Sequence, residues 1–294
     1  MLAGAALAPS AFLAASTGWF GHLGRWFPWV HHNDHRDLTS QAFDYLLGEG
    51  AVAAGSDLAR NREAVEEACG MLDIMEGQTG GKVPGKLQWE YSHFYDPLRA
   101  RGMDDRCYVN ALDEYVDLWD RCLVHMNIDN LSKSYRFLGF CCHLLQDMAV
   151  PAHTFCIAHG LKTRTADNLE LRSRARRFHL REPAGPPYPG DRATHVGLFL
   201  ACGRESRGLE AYDDVPNDIA GILSRYYLEP KWGRDGWRGR YLGEPYYPYH
   251  RLLPSTPRIR LADLLALRNY LMGIASERTA QLLLHFARLT GAGD

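Results

Sequence analysis

Apolar residues recur along this chain three or four positions apart, in several separate runs, which is the helical period. The run Asp37-Leu38-Thr39-Ser40-Gln41-Ala42-Phe43 opens an amphipathic helix that reaches about Leu47, where Gly48 and Gly50 stop it. Asn61 to Glu76 predicts a second helix, with Val65, Ala68, Met71, Leu72 and Met75 on one face. Cys107 to Met126 predicts a third, with Leu112, Tyr115, Val116, Trp119 and Leu123 inward. Asn130 or Ser132 then caps a helix whose last turns are almost wholly apolar: Leu138, Leu144, Leu145 and Met148. Val150-Pro151 ends it, because the residue before a proline is pushed out of the α region.

Residues 171–190 are rich in Arg, then Pro and Gly, and read as a loop. Helical spacing resumes around Ile219 to Leu228. It returns in a long amphipathic run from Arg260 to Leu289, with Leu264, Leu267, Leu271, Ile274, Leu282 and Phe286 on one face. Residues 229–257, with many Pro, Gly, Trp, Tyr and Arg, are too long for an ordinary connector. They read as a lid-like loop or a partner surface. Alternating strand patterns are scarce. The expectation is an all-α fold, one domain over 18–294, preceded by an extension at 1–17.

Composition narrows the picture little. With 33 Lys and Arg against 35 Asp and Glu, the net charge of −2 leaves no basic footprint, and no nucleic-acid partner is expected. Seven scattered cysteines are not a disulfide framework. Met1 to Ser16 is apolar and small-sided, like the hydrophobic part of a signal peptide. That favours a secreted or periplasmic protein, the other reading being an N-terminal extension on a cytoplasmic one.

Chemistry concentrates in the fourth helix. His143 and Asp147 are four apart and so share a face, and Pro151-Ala152-His153 returns a second imidazole to the same point. Two imidazoles and a carboxylate in an apolar setting are a ligand set for zinc, or else a buried His–Asp pair satisfied by hydrogen bonds. Cys142, beside His143, is either a thiolate ligand or a small core residue. Upstream stands a loop-like Ser92-His93-Phe94-Tyr95-Asp96-Pro97. Residues 18–35 are dense in ring side chains: Trp19, His22, Trp26, Trp29, His31, His32 and His35.

Taken together, H-F-Y-D-P and H-x-x-x-D-x-x-x-P-x-H resemble the bacterial zinc-dependent phospholipase C family, in the family's order, over residues 29 to 175. The resemblance implies a helical bundle around a multinuclear cleft holding up to three zinc ions. It implies His93, His143, Asp147 and His153 as ligands, and His35 at the start of the first helix, with His32 as substitute. It implies a tryptophan at a mature N terminus, and Trp29 or Trp26 stands at suitable spacing if the chain is cleaved just before it. Asp73, with Glu76 as close second, takes the place of a metal-touching carboxylate and general base. The last ligands are expected as His and Glu one turn apart. Here position 166 is Ala, so Glu170 is expected with His159 swinging in, and Asp167 is a further candidate.

The implied reaction is zinc-activated water attacking a phospholipid phosphodiester in line, giving diacylglycerol and a phosphorylated head group. Phospholipid or another phosphodiester is then the partner, with peripheral membrane contact through the aromatic loop at Tyr246-Tyr247-Pro248-Tyr249. Two alternatives stand beside it. The single-strand-specific zinc nucleases share the fold and most ligands, but the Asp-x-Gly-Gly-Asn stretch they carry is missing between 154 and 175. The other is a non-enzymatic helical protein with an eroded metal site.

Overall fold

The computed structural model describes residues 34–72, 93–102, 110–156, 194–208, 217–226, 240–241, 244–245 and 260–293. Among them the chain is helical, and its strand content is one antiparallel pair, β1 (Arg240–Tyr241) and β2 (Glu244–Pro245). The fold is all-α, as the periodicity predicts.

Helix α1 spans Asp34–Gly48 and buries Leu38, Ala42, Phe43 and Leu46. His35 and Thr39 lie on the same stripe, four apart, so they are carried inward with it. The helix begins three residues earlier than the sequence suggests, and this puts His35 inside its first turn. Gly50, at φ +67°, takes the left-handed conformation that ends it. A short α2 (Asp57–Arg60) is capped by the Ser56 hydroxyl, which accepts from Ala59 N. Next comes α3 (Arg62–Cys69), shorter than predicted, with Gly70 at its C-cap.

Helix α4 (Ala111–Asn127) starts four residues later than predicted. Asn110 is extended there, and its side chain accepts from the Leu112 and Asp113 amides, which fixes the N terminus. Its buried stripe is Ala111, Tyr115, Leu118, Trp119 and Cys122; Leu112, Val116 and Leu123 are half-buried beside it.

Helix α5 (Leu131–Asp147) is the centre of the fold. Every residue from Leu138 to Asp147 is buried, which one apolar stripe cannot achieve; it requires neighbours on all sides. Helices α4 and α3 pack most extensively against it, joined by α1 and by the later helices His195–Ser206 and Leu261–Thr290. Gly139 lets α3 approach closely: a Cβ there would sit 2.4 Å from the Val65 carbonyl oxygen. Val150 is extended and Pro151 occupies the first position of α6 (Pro151–Thr154), so the chain breaks where the Val-Pro pair predicts.

Helix α7 (His195–Ser206) was not visible in the pattern. Gly197 and Gly203 weaken its propensity, and its buried face is short: Leu198, Phe199 and Cys202. Gly203 packs beside Pro97 and Thr154, so α7 braces the loop of the first motif and α6 together. Helices α8 (Asn217–Tyr226) and α9 (Leu261–Thr290) complete the set, and α9 ends on Gly291 at φ +71°. Leu267, Leu271, Ile274, Leu282 and Phe286 of α9 are buried, as the spacing predicts. No helix among the described residues is long and apolar enough to cross a membrane.

Candidate metal centre

One backbone hydrogen bond ties the two motifs together, and a second ties the loop of the first motif to the start of α4. The Tyr95 amide donates to the His153 carbonyl at 3.3 Å, and the Ala111 amide donates to the Phe94 carbonyl at 3.2 Å. Asp96 holds the loop's shape. Its Oδ1 accepts from the amides of Leu98 and Arg99 at 2.9 and 3.3 Å, and also from the buried Arg207 guanidinium just beyond α7. Arg207 lies over the Phe155 ring at 4.2 Å. Asp96 is therefore a clamp on the loop that presents His93.

His35, His93, His143 and His153 surround Asp147, and all five residues are buried. The two carboxylate oxygens divide the four rings between them. Oδ2 takes the His93 Nδ1 at 2.5 Å and has the His143 Nε2 at 3.4 Å. Oδ1 has the His35 Nε2 at 3.5 Å and the His153 Nδ1 at 3.8 Å, and no hydrogen-bond donor reaches it among the described residues. Burial opposes ionisation of Asp147, but positive charge on His143, His153 and His93, when those rings are protonated, outweighs it and holds the carboxyl well below the usual carboxylate range.

The other ring nitrogens decide what the site accepts. His143 Nδ1 lies 2.8 Å from the Cys69 carbonyl oxygen, which only accepts, so this nitrogen carries the proton. His35 Nδ1 lies 2.9 Å from the Gln146 side-chain oxygen and is likewise the donor. In both neutral rings the Nε2 lone pair therefore faces the carboxylate. Lone pairs against an anion repel, and positive charge relieves that. A proton on each ring is a poor answer, because His35 and His143 stack with centroids 3.9 Å apart and two stacked cations repel. One divalent cation held by both Nε2 atoms and the carboxylate answers all three.

The donor atoms of His35, His143 and Asp147 lie within 4.8 Å of one another. Two imidazoles and a carboxylate, each imidazole donating its far N–H to a carbonyl-type oxygen, fit zinc with a position left open. His93 borders the same carboxylate at Oδ2 and His153 at Oδ1, and the Phe94 ring lies against His153 at 4.8 Å.

Of the residues expected from the sequence, His35, His93, His143, Asp147 and His153 thus converge. Asp73, Glu76, His159 and Glu170 lie outside the described residues, as do Trp19, Trp26, Trp29, His32 and Asp167. Cys142 is described and stands apart from the donor group, its thiol pushed up by burial, so it serves as a core residue. Three supports escaped the sequence: Gln146, the Cys69 carbonyl and Arg207. A backbone carbonyl has no sequence signal, and Arg207 lies 111 positions from its partner.

No protein-family model matches the sequence, and no curated protein matches it. The structure is similar to a solved one, "Alpha Toxin from Clostridium Absonum", at a TM-score of 0.55 and 12% identity. The match covers 88% of this chain and 64% of that one, so this chain spans less than two thirds of its neighbour's length. The likeness is one of fold. At this identity it carries the helical architecture to this chain and leaves the chemistry to the residues themselves.

Proposed function

We propose that this chain is a zinc-dependent phosphodiester hydrolase of phospholipase C type. The observation that carries the reading is the pair of imidazoles, His35 and His143, whose Nε2 atoms are turned by fixed Nδ1 hydrogen bonds onto one buried carboxylate. The fold likeness and the two motifs resembling the phospholipase C family support it independently.

His35, His143, Asp147, His93 and His153 would hold zinc, with Glu170 and His159 as further ligands. When bound, zinc supplies a Lewis acid and lowers the pKa of water toward neutrality. The chain's own part is order and dryness. Asp147 stays ionised and anchors the cluster, Cys69 and Gln146 fix the tautomers, and the buried walls of α5 and α6 keep bulk water from the ligands. Asp73, with Glu76 second, is the proposed base that takes a proton from the attacking water. A phosphodiester binds through its anionic oxygens, and a phospholipid is the favoured source. The apolar stretch Met1–Ser16 supports export of the protein to where such lipids are met.

Zinc-loaded protein offered phosphatidylcholine vesicles and single-stranded DNA in parallel tests the reading. Phosphocholine release, abolished by chelator and restored by zinc, is expected. Cleavage of DNA alone would move the protein to the nuclease alternative. Inertness toward both, in protein that holds zinc, would leave a helical protein with a metal site and no hydrolase.

A further inference from the structure

Gln146 precedes Asp147 on α5, so its side chain points roughly 100° round the helix from the carboxylate, toward α1 and α9. It is completely buried. Its Nε2 lies 2.9 Å from the Thr39 hydroxyl on α1 and 3.1 Å from the Thr279 hydroxyl on α9. Both hydroxyls have backbone carbonyls for their own hydrogens: Thr39 donates to His35 O at 2.9 Å, Thr279 to Ala275 O at 2.7 Å. Their oxygens are thus left to accept from the two amide hydrogens. That orients the amide and turns its oxygen to His35 Nδ1 at 2.9 Å.

We infer that Gln146 is a positioning residue for the metal centre, setting the His35 tautomer, and that Thr279 makes α9 part of that control. The inference rests on the zinc reading. An amide oxygen can only accept, so His35 must present its proton at Nδ1 and its lone pair at Nε2, toward Asp147. Thr279 is 133 positions away from Gln146 in sequence, so ligand geometry at the first described helix is dictated from the last one. Ser276, one turn earlier on α9, donates to Leu38 O at 3.3 Å and holds the same two helices in register. Docking of α9 and loading of zinc should therefore be coupled.

The test uses the full chain as Gln146→Met, Gln146→Glu and Thr279→Val, with zinc as the probe, chelator competition for affinity and thermal melts of the zinc-free forms. Losing an outer partner of a metal-bound histidine commonly weakens metal binding about 10–100-fold, and Gln146→Met is expected in that range. Gln146→Glu keeps an acceptor for His35 Nδ1 and is expected to stay within a few-fold of wild type. Thr279→Val is expected to weaken zinc by a smaller factor, since Thr39 still holds the amide. The ring nitrogen shifts of His35 should report the Nδ1–H form in wild type and a mixture of tautomers in Gln146→Met. Wild-type affinity in a folded Gln146→Met, or an equal loss in the Met and Glu variants, overturns the inference and leaves the zinc reading standing. If Gln146→Met does not fold, unchanged zinc affinity in Thr279→Val overturns it instead. A wild-type chain that takes no zinc overturns both.

Discussion

Replacing Gly139 with alanine should loosen the fold and the metal centre together. Gly139 faces α3, one turn before His143 on α5. The added methyl would lie 2.4 Å from the Val65 carbonyl oxygen, 2.7 Å from Ala68 Cβ and 3.0 Å from the Cys69 amide nitrogen. Two of those three atoms are backbone, so relief requires α3 to withdraw on the order of 1 Å to restore ordinary contact distances. The Cys69 carbonyl withdraws with it. Its 2.8 Å contact with His143 Nδ1 then stretches past a useful hydrogen bond. Overpacking of this kind costs about 2 kcal/mol, and the lost bond adds about 1 kcal/mol. Alanine's better helix propensity returns about 1 kcal/mol. The net expectation is about 2 kcal/mol of destabilisation, read as a lower urea midpoint, together with weaker zinc retention. Gly221→Ala is the control. Gly221 lies within α8 and a Cβ there meets nothing within 4 Å, so propensity alone acts and the variant should gain stability. A Gly139→Ala protein that gains as Gly221→Ala does, and keeps its zinc, would refute the close-packing argument.

Three further outcomes follow from other parts of the structure. Asp96→Asn removes the charge from a buried pair with Arg207 and is expected to cost about 3–5 kcal/mol, with zinc loss because the His93 loop is released; unchanged zinc content would show the clamp to be irrelevant to the site. Arg278 on α9 and Glu205 on α7 form a second buried pair. Arg278→Met alone should destabilise strongly and the Arg278→Met/Glu205→Gln double variant much less, and additive losses in a double-mutant cycle would contradict that. His195 stacks on Trp119 at 4.7 Å, and burial, with help from His285, pushes its pKa down to about 4. The unfolded chain takes up this proton near pH 6.5 and the folded one does not, so the stabilisation is complete above about 6.5 and is lost as pH falls toward 4. Urea midpoints at pH 7 and pH 5 should therefore fall further apart in wild type than in His195→Phe; equal separations would rule His195 out as the source.

Much of this architecture was legible because local and tertiary signals agree. The α5 segment carries its apolar run, its His–Asp face and its Val-Pro stop within about twenty residues, while Asn130, at the expected N-cap position, makes no side-chain capping bond. The cluster of His93, His143, Asp147 and His153 was readable for the same reason, as motif residues at fixed offsets. What could not be read depends on partners far along the chain. Helix α7 hides behind two glycines, and one of them has a steric use, since Gly203 admits Pro97 and Thr154. Asp96 of the H-F-Y-D-P motif is a loop clamp, because the guanidinium that claims it comes from Arg207, far along the chain. The role of Gln146 appears only when Thr39 and Thr279 are brought to it by α1 and α9. The start of α4 moved because Asn110 offers its side chain to two free amides, a local contest that apolar spacing does not register.

If the histidines around Asp147 hold metal, zinc per folded chain will show it. Protein purified without chelator, together with Asp147→Asn treated identically, should be assayed by elemental mass spectrometry. Wild type should hold at least one zinc per chain, and Asp147→Asn should show a clear loss. A wild-type protein that holds no zinc, even after zinc is added back, would contradict it.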